Sequence, residues 1–462
     1  MMSPVHSLLS TRLLTVQAIE PAAMSHPNLN AFWMPTTANR AFKASPRLVE
    51  SADGVFLTTK DGDRVIDATA GLWCTNAGHC RPEIATAIQQ QANTLDYTSI
   101  FNFAHELGFE YANRLVEYTP EGIDHVFFGT SGSEAVDTAL KIAMQYWNVK
   151  GQGKKQRFIG RQKSYHGVSF GGIAVGGITK NHKSFGQWLM VDHLNHTLDI
   201  KNSAFSKGLP EKGVEKAEEL EQLIHFHDPS TIAAVIVEPI AGAGGIIMPP
   251  KGYLNRLREI CNQHDILLIF DEVICGWGRT GSSFASVEFD VTPDMITSAK
   301  GITNGVVPLS AVFLSSEIYN TCMENAEDPV ELYHGYTYSC HPVACAAGMA
   351  TLDIYERENL LSRAKTDGEI GSYWQDALHN LADLPQVVDV RNYGLLGAVE
   401  LRAPTGQAGT LGPQALVACW EKGVMVRGIG DAIVISPPLI IEKQEIDTIV
   451  SVLRAVIPSI AK

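Results

Sequence analysis

The chain has 462 residues, 45% of them hydrophobic and 19% charged, which allows two domains around a substantial core and is not the balance of a disordered protein. Its formal net charge of −14 argues against a nucleic-acid partner, because phosphate backbones need a basic face, although a local cationic pocket for a small anion remains compatible. No apolar run is long enough to span a bilayer, so no membrane partner is expected.

Residues 1–29 read as a disordered extension. Residues 1–23 are mildly apolar, but with one arginine, Arg12, and an acid, Glu20, they make a poor signal or transit peptide; Met24 is a plausible alternative start. Helical periodicity follows over 82–94 and 105–117. A short apolar run, 126–128, then enters Gly129-Thr130-Ser131-Gly132-Ser133-Glu134 and a helix over 131–148. Ser131 and Glu134 have capping-box spacing, which marks a helix start. Free N–H groups and the positive dipole end lie there, and small hydroxylated residues let a phosphate come close. Ser131, Gly132 and Ser133 are therefore candidate phosphate ligands.

Further strands are expected at 158–160, 233–237, 266–270 and 311–314, and a helix at 253–264. This alternation implies a mainly parallel sheet covered on both faces, an α/β fold. Tyr165, beside a glycine-rich stretch, offers a flat wall for a planar ring. The strand at 233–237 ends in Glu238 and the strand at 266–270 in Asp271; ligands of open α/β sheets collect at such carboxyl ends. Lys300 follows Asp271 by 29 residues. A lysine can hold an aldehyde cofactor as a Schiff base, and a carboxylate can keep a pyridine nitrogen protonated so that the ring becomes an electron sink. The pair points to pyridoxal phosphate.

The segment 201–221 is charged and poor in large apolar residues, and reads as an exposed loop leading into a solvated helix. After Pro342 the pattern changes to two long helices, 343–358 and 361–381, then strands at 387–390, 397–401, 424–427 and 433–436 and a last helix. The eight cysteines, Cys74, Cys80, Cys261, Cys275, Cys322, Cys340, Cys345 and Cys419, form no Cys-x-x-Cys pair, which favours free thiols, a reducing compartment and a cytoplasmic location. His193 with His196, and His225 with His227, lack the partners a metal site needs, so no metal is expected. Gly276-Trp277-Gly278-Arg279-Thr280-Gly281 matches a dinucleotide fingerprint, but no apolar helix opens from it and Asp271-Glu272 would face the pyrophosphate. A nicotinamide oxidoreductase is disfavoured on that ground. So is a non-catalytic binding protein, which needs neither Lys300 nor Asp271.

In order, Ser-Gly-Ser-Glu-Ala (131–135), Tyr-His-Gly (165–167), Val-Glu-Pro (237–239), Phe-Asp-Glu-Val (270–273), Gly-x-Gly-Arg-Thr-Gly (276–281) and Ser-Ala-Lys-Gly (298–301) resemble the class III aminotransferases, pyridoxal-phosphate enzymes of fold type I. The resemblance runs from about Phe32 to the C-terminus. Phe32-Trp33-Met34-Pro35, Asn39-Arg40 and Gly71-Leu72-Trp73 are similar to the ω-amino acid:pyruvate and amine:pyruvate branch.

The resemblance implies a large domain over 75–342 and a smaller α+β domain made from 30–74 and 343–462. It implies that Lys300 holds the cofactor and is the base, Asp271 pairs the ring nitrogen, Tyr165 stacks, Val273 packs under the ring and Glu238 lies nearby. Thr337, in Tyr336-Thr337-Tyr338-Ser339-Cys340-His341-Pro342, would reach the cofactor phosphate of a neighbouring subunit, so a homodimer with shared sites is expected, and the sequence leaves open whether dimers pair into a tetramer. Arg427 would anchor the substrate carboxylate, with Trp73, Tyr336 and Phe101 as pocket walls. An amine donor and an oxo-acid acceptor, pyruvate first, react in a ping-pong cycle. The ornithine and 4-aminobutyrate transaminases, which use 2-oxoglutarate, and aminomutases or decarboxylases on this scaffold stay open.

Overall fold

The computed structural model describes residues 28–461. The expected extension at 1–29 lies almost wholly outside them. The described residues fall into two compact units that divide between Leu48 and Val49. In the first, the Asn39 side chain clamps a loop: it accepts from Met34 N at 3.0 Å and donates to Met34 O at 2.9 Å, just where the helix Asn39–Ala44 begins.

The second unit opens with strands β1 (Val49–Asp53), β2 (Phe56–Thr59) and β3 (Arg64–Asp67). The central sheet follows: β4 (Ile123–Gly129), β5 (Arg157–Arg161), β6 (Val191–Leu194), β7 (Ile232–Val237), β8 (Leu267–Asp271), β9 (Met295–Ser298) and β10 (Ser310–Ser315). Its order is β4-β10-β9-β8-β7-β5-β6. Only β10 runs antiparallel to its neighbours, β4 and β9; the other pairings are parallel. Every residue of β7 and β8 is buried, as expected of strands covered on both faces.

Strand β9 was not anticipated from the sequence. Four residues, two of them polar, look like a turn; between β8 and β10 the hydroxyls of Thr297 and Ser298 are buried all the same.

The C-terminal part supplies β11 (Val387–Tyr393), β12 (Leu396–Leu401), β13 (Val424–Met425), β14 (Arg427–Ile429) and β15 (Ala432–Ile435). The strand expected at 424–427 is in fact divided. β13 pairs in parallel with β3, and β14 pairs antiparallel with β15, so the chain changes sheets at the buried Val426. That change of sheet sets Arg427 beside the loop that leaves β3.

Two other expectations are corrected. The helix expected at 361–381 is broken. A short turn of helix, Leu360–Ser362, precedes the helix Glu369–His379, which Gly368 begins. A Cβ on Gly371 would lie 2.0 Å from Lys365 O, so the glycine lets the chain fold back on itself there. The 201–221 segment is not merely solvated. Ala217 and Leu220 are fully buried and join Ile224 in a core with β7 and β8, the charges lying on the outer side.

The helix Pro342–Arg357 is built of small residues, among them Ala344, Ala346, Ala347 and Gly348. A Cβ at 348 would fall 2.2 Å from the Tyr111 ring, so only glycine allows this approach. Among the described residues, no helix is long and apolar enough to cross a membrane.

Candidate active site

The strand ends converge on one cavity, lined by Gly132, Ser133, Tyr165, His166, Glu238, Asp271, Val273 and Lys300, among others. Asp271 closes β8 and is 3% exposed. Its Oδ1 accepts from Val273 N at 3.1 Å, and its Oδ2 lies 2.7 Å from His166 Nδ1. A proton on Nδ1 satisfies that contact and fixes the ring. His166 Nε2 is buried and has no partner among the described residues. From sequence alone the neighbouring Tyr165 stands out and His166 does not. Its signal was its place inside the Tyr-His-Gly motif, but a lone histidine says nothing about which acid it meets.

Lys300 follows β9 with φ of 57°, in the left-handed region that costs an L-residue roughly 1–2 kcal/mol. Two buried tyrosines from different helices hold the strained turn. Tyr355 OH donates to Gly301 O at 2.6 Å and Tyr111 OH to Ile302 O at 2.8 Å. Neither was anticipated, since in sequence both look like packing residues. Burial pushes the Lys300 amine below the ordinary lysine value; Cys74, Asp271 and Glu238 pull it back up and Arg427 pushes it further down. A larger share of neutral amine results, which is what a nucleophile or base requires.

At the other end, the helix Gly132–Val149 begins at the cavity. Ser131 is its N-cap, accepting from Glu134 N at 3.2 Å. The reciprocal half of a capping box is absent: the Glu134 carboxylate accepts instead from Thr130 N and Thr130 Oγ1, both at 2.7 Å. Ser133 Oγ accepts from Val168 N at 3.0 Å. Gly167, with φ of 90°, comes so near that a Cβ would lie 2.4 Å from that oxygen.

Glu238 ties two loops together, accepting from Tyr165 N at 2.9 Å and Gly242 N at 2.8 Å. Burial raises its pKa, and so does the charge of Asp271. Burial also raises the Tyr165 phenol.

Trp73 stands over the lysine side of the site. Lys300 Nζ lies 5.7 Å, and the Arg427 guanidinium 5.0 Å, from its ring centroid. The loop carrying it is strained, with Ala70, Gly71 and Trp73 all at positive φ. Asp67, fully buried at the end of β3, holds that loop: it accepts from Thr69 N at 3.0 Å and Gly71 N at 2.6 Å, and lies 2.7 Å from His79 Nε2. Arg427 is half-buried, its Nε has no partner among the described residues, and burial lowers its pKa.

Four expected site residues lie elsewhere in the chain. Ser131 is exposed and its hydroxyl serves the helix cap. Thr337 is exposed, and its carbonyl accepts from Tyr97 OH at 3.0 Å. Tyr336 OH lies 3.3 Å from both Thr138 Oγ1 and Glu134 O, on the flank of the helix Gly132–Val149. Phe101, 54% exposed, lines a separate apolar cavity with Phe103, Phe109 and Gly335. The glycine-rich run 276–281 opens no helix. It is a turn whose buried Arg279 donates to Asn76 Oδ1 at 2.6 Å and to the Pro437 carbonyl.

A half-buried amine, a carboxylate that can face a ring nitrogen and a helix N-terminus that can face a phosphate surround one cavity. A mainly parallel sheet with that site at its strand ends defines a pyridoxal-phosphate enzyme of fold type I, and the donor set here fits the cofactor's aldehyde, ring and phosphate. Residues 37–457 match the family model of class-III aminotransferases, and the chain belongs to that family.

It is 53% identical to an omega-aminotransferase of Caulobacter vibrioides over 93% of this chain and 98% of that one. It is 47% identical to a beta-alanine–pyruvate aminotransferase of Pseudomonas aeruginosa over 93% and 96%. A solved amine transaminase from an uncultivated Pseudomonas species, in its pyridoxal-phosphate-bound form, superposes with a TM-score of 0.86 at 34% identity, covering 93% of this chain and 98% of that one.

Proposed function

We propose that the enzyme moves an amino group from an ω-amino acid such as β-alanine, or from a simple amine, to pyruvate, in two half-reactions at one pocket. The observation that carries this reading is the half-buried Arg427, whose guanidinium lies 5.0 Å from the centroid of the Trp73 ring that also stands 5.7 Å from Lys300 Nζ. One guanidinium fork suits one carboxylate, whereas a five-carbon diacid would call for a second cation. The activity named for the Pseudomonas aeruginosa relative supports it.

When bound, pyridoxal phosphate supplies a ring that accepts the electrons left on the substrate carbon. Lys300 would hold the cofactor aldehyde, and its amine, set beside the substrate carbon, would take up the proton that leaves it. Asp271 would keep the ring nitrogen charged, and His166 keeps Asp271 in place. Tyr165 and Val273, which line the cavity, would pack against the ring. Gly132 and Ser133 offer helix N-terminal donors to the phosphate, with Ser131 shaping the turn. Glu238 sets the Tyr165 loop. Arg427 takes the carboxylate and Trp73 keeps water from it.

Two copies pair through the face that carries Phe101, Phe103, Phe109 and Tyr338. Phe103 is 71% and Phe109 65% exposed, a large apolar area for an isolated chain. Pairing would bring Thr337, with Tyr336 and Phe101, to the neighbouring copy's pocket. Comparing pyruvate with 2-oxoglutarate as acceptor for β-alanine tests the substrate assignment. Higher kcat/KM with pyruvate is expected; a clear preference for 2-oxoglutarate would overturn it.

A further inference from the structure

The end of β3 is a crossing of several elements. Asp67 faces Met425 in the parallel pairing of β3 with β13. Ala68 N donates to Met425 O at 3.1 Å, and Ser436 N, just past β15, donates to Ala68 O at 2.7 Å. Trp73 follows Asp67 by six residues, and Arg427 follows Met425 by two, so both leave from this one junction. The Trp73 indole is 3% exposed, and its Nε1, like Arg427 Nε, has no partner among the described residues. The backbone that carries the ring therefore decides where it stands. That backbone is strained, with φ of 47° at Ala70, 65° at Gly71 and 59° at Trp73. Such values persist only where the surroundings over-determine them. Asp67 is the group that does so. Its Oδ1 accepts from Thr69 N at 3.0 Å and lies 3.1 Å from Thr69 Oγ1. Its Oδ2 accepts from Gly71 N at 2.6 Å and from His79 Nε2 at 2.7 Å; that nitrogen carries the proton, because a carboxylate only accepts. Trp73 N in turn donates to Thr69 O at 2.9 Å.

We propose that Asp67, oriented by His79, is a positioning residue for substrate selection: by fixing the Trp73 loop it holds the Arg427 guanidinium where a carboxylate-bearing donor or acceptor can meet it. This rests on the reading that Arg427 takes that carboxylate. The guanidinium lies 5.0 Å from the Trp73 ring centroid, so a tilt of this ring displaces the cation that selects the substrate. A buried acid in a turn usually serves folding alone. Asp67 differs in its place: the loop it ties ends on Trp73, and the strand it faces leads to Arg427. Neither Asp67 nor His79 lines the cavity, so an effect of either on substrate choice has to pass through Trp73 and Arg427. A misplacement of about 1 Å at a selecting group is enough to change rates by an order of magnitude or more.

Asp67→Asn tests this in the cofactor-loaded enzyme. The amide keeps an acceptor for Thr69 N but sets a donor against Gly71 N and His79 Nε2. KM for pyruvate and for β-alanine should rise about tenfold, while KM for a simple amine changes less than about twofold. Calorimetric binding of propionate, a carboxylate that cannot react, should weaken by about the same tenfold. His79→Gln can still donate to Oδ2 and should keep the selectivity, whereas His79→Leu should lose it. Gly71→Ala decides the case if Asp67→Asn does not fold. Its Cβ would meet nothing closer than Cys74 Sγ at 3.7 Å, so it opposes only the backbone conformation and should give the same pattern. Losses shared equally by charged and uncharged donors, or by His79→Gln and His79→Leu alike, would overturn the proposal and leave Asp67 a structural residue. Arg427→Ala separates this proposal from the reading beneath it. If that variant discriminates between the donors and the Asp67, His79 and Gly71 variants do not, the positioning role fails and the carboxylate anchor stands. If Arg427→Ala does not discriminate, the anchor falls and the positioning role with it.

Discussion

The Lys300 pocket and the face around Phe101 and Tyr336 differ in how complete each is within one chain. In the pocket the polar groups are largely tied to the same chain: Asp271 to His166 and Val273, Glu238 to Tyr165 and Gly242, and the Lys300 turn to Tyr111 and Tyr355. Around Phe101 the large side chains are exposed, with Phe103 at 71% and Tyr333 at 93%. The first region is a finished device. The second has the composition of half an interface, and Thr337, which lies on it, gains a role only if another copy lends it a pocket.

The largest effect that would break this comparison is at the finished site. Asp271→Asn keeps an acceptor for Val273 N but removes the charge facing His166 and the cofactor ring. It should lower kcat by roughly 10²- to 10³-fold while thermal unfolding changes little. Near-normal turnover would mean that the strand-end charge is not part of the chemistry.

Next comes a test of the unfinished face. Lys300→Ala chains and Thr337→Ala chains, mixed and allowed to exchange, should give hybrids with one site free of both changes. Each hybrid should have about half the activity of the unaltered dimer, so a one-to-one mixture after random exchange should rise to about a quarter of it. Confirmed hybrids no more active than either parent would count against shared sites.

The two regions were not equally legible in the sequence. The strand-end acids Glu238 and Asp271, the lysine 29 residues beyond Asp271 and the helix start at Ser131 could be read, because each rests on a local pattern with one physical meaning. β9 could not, since a short polar strand is made by its neighbours. The break at Thr366-Asp367-Gly368 was missed because apolar spacing runs on through it. The division of 424–427 between two sheets depends on β3, some 360 residues away, which no window can contain. His166, Tyr111, Tyr355 and Asp67 escaped for the same reason: each is ordinary by type, and only its distant partner gives it meaning.

A smaller effect separates the roles of the cations near Trp73. Arg427→Ala should raise KM for pyruvate and for β-alanine by about ten- to hundredfold, the loss of a charge-assisted contact of about 1.5–3 kcal/mol, and leave a simple amine donor nearly unchanged. Equal losses for charged and uncharged donors would make Arg427 a structural residue.

The smallest effect concerns stability. Burial pushes Glu272 from 4.5 up to about 7, and it accepts from Ser286 N at 2.8 Å and from Ala285 N. The folded value lies above the unfolded one, so the folded state holds this proton longer. The contribution is full below pH about 4.5 and is lost as pH rises through about 7, at most roughly 3 kcal/mol. Urea unfolding at pH 5, 7 and 8 should show this decline, and Glu272→Gln should flatten it. An unchanged slope in the variant would assign the decline to other groups.

The central claim is that Lys300 is the lysine that holds the cofactor. Borohydride reduction of the cofactor-loaded protein, followed by peptide mapping, tests it most directly. Lys300 is set in a pinned turn with a lowered amine pKa, whereas Lys141 sits 3.5 Å from His334 on the exposed side of its helix and Lys163 lies outside the residues that line the cavity. The label should fall on Lys300 alone; a label on Lys163 or Lys141, with Lys300 unmodified, would contradict the account.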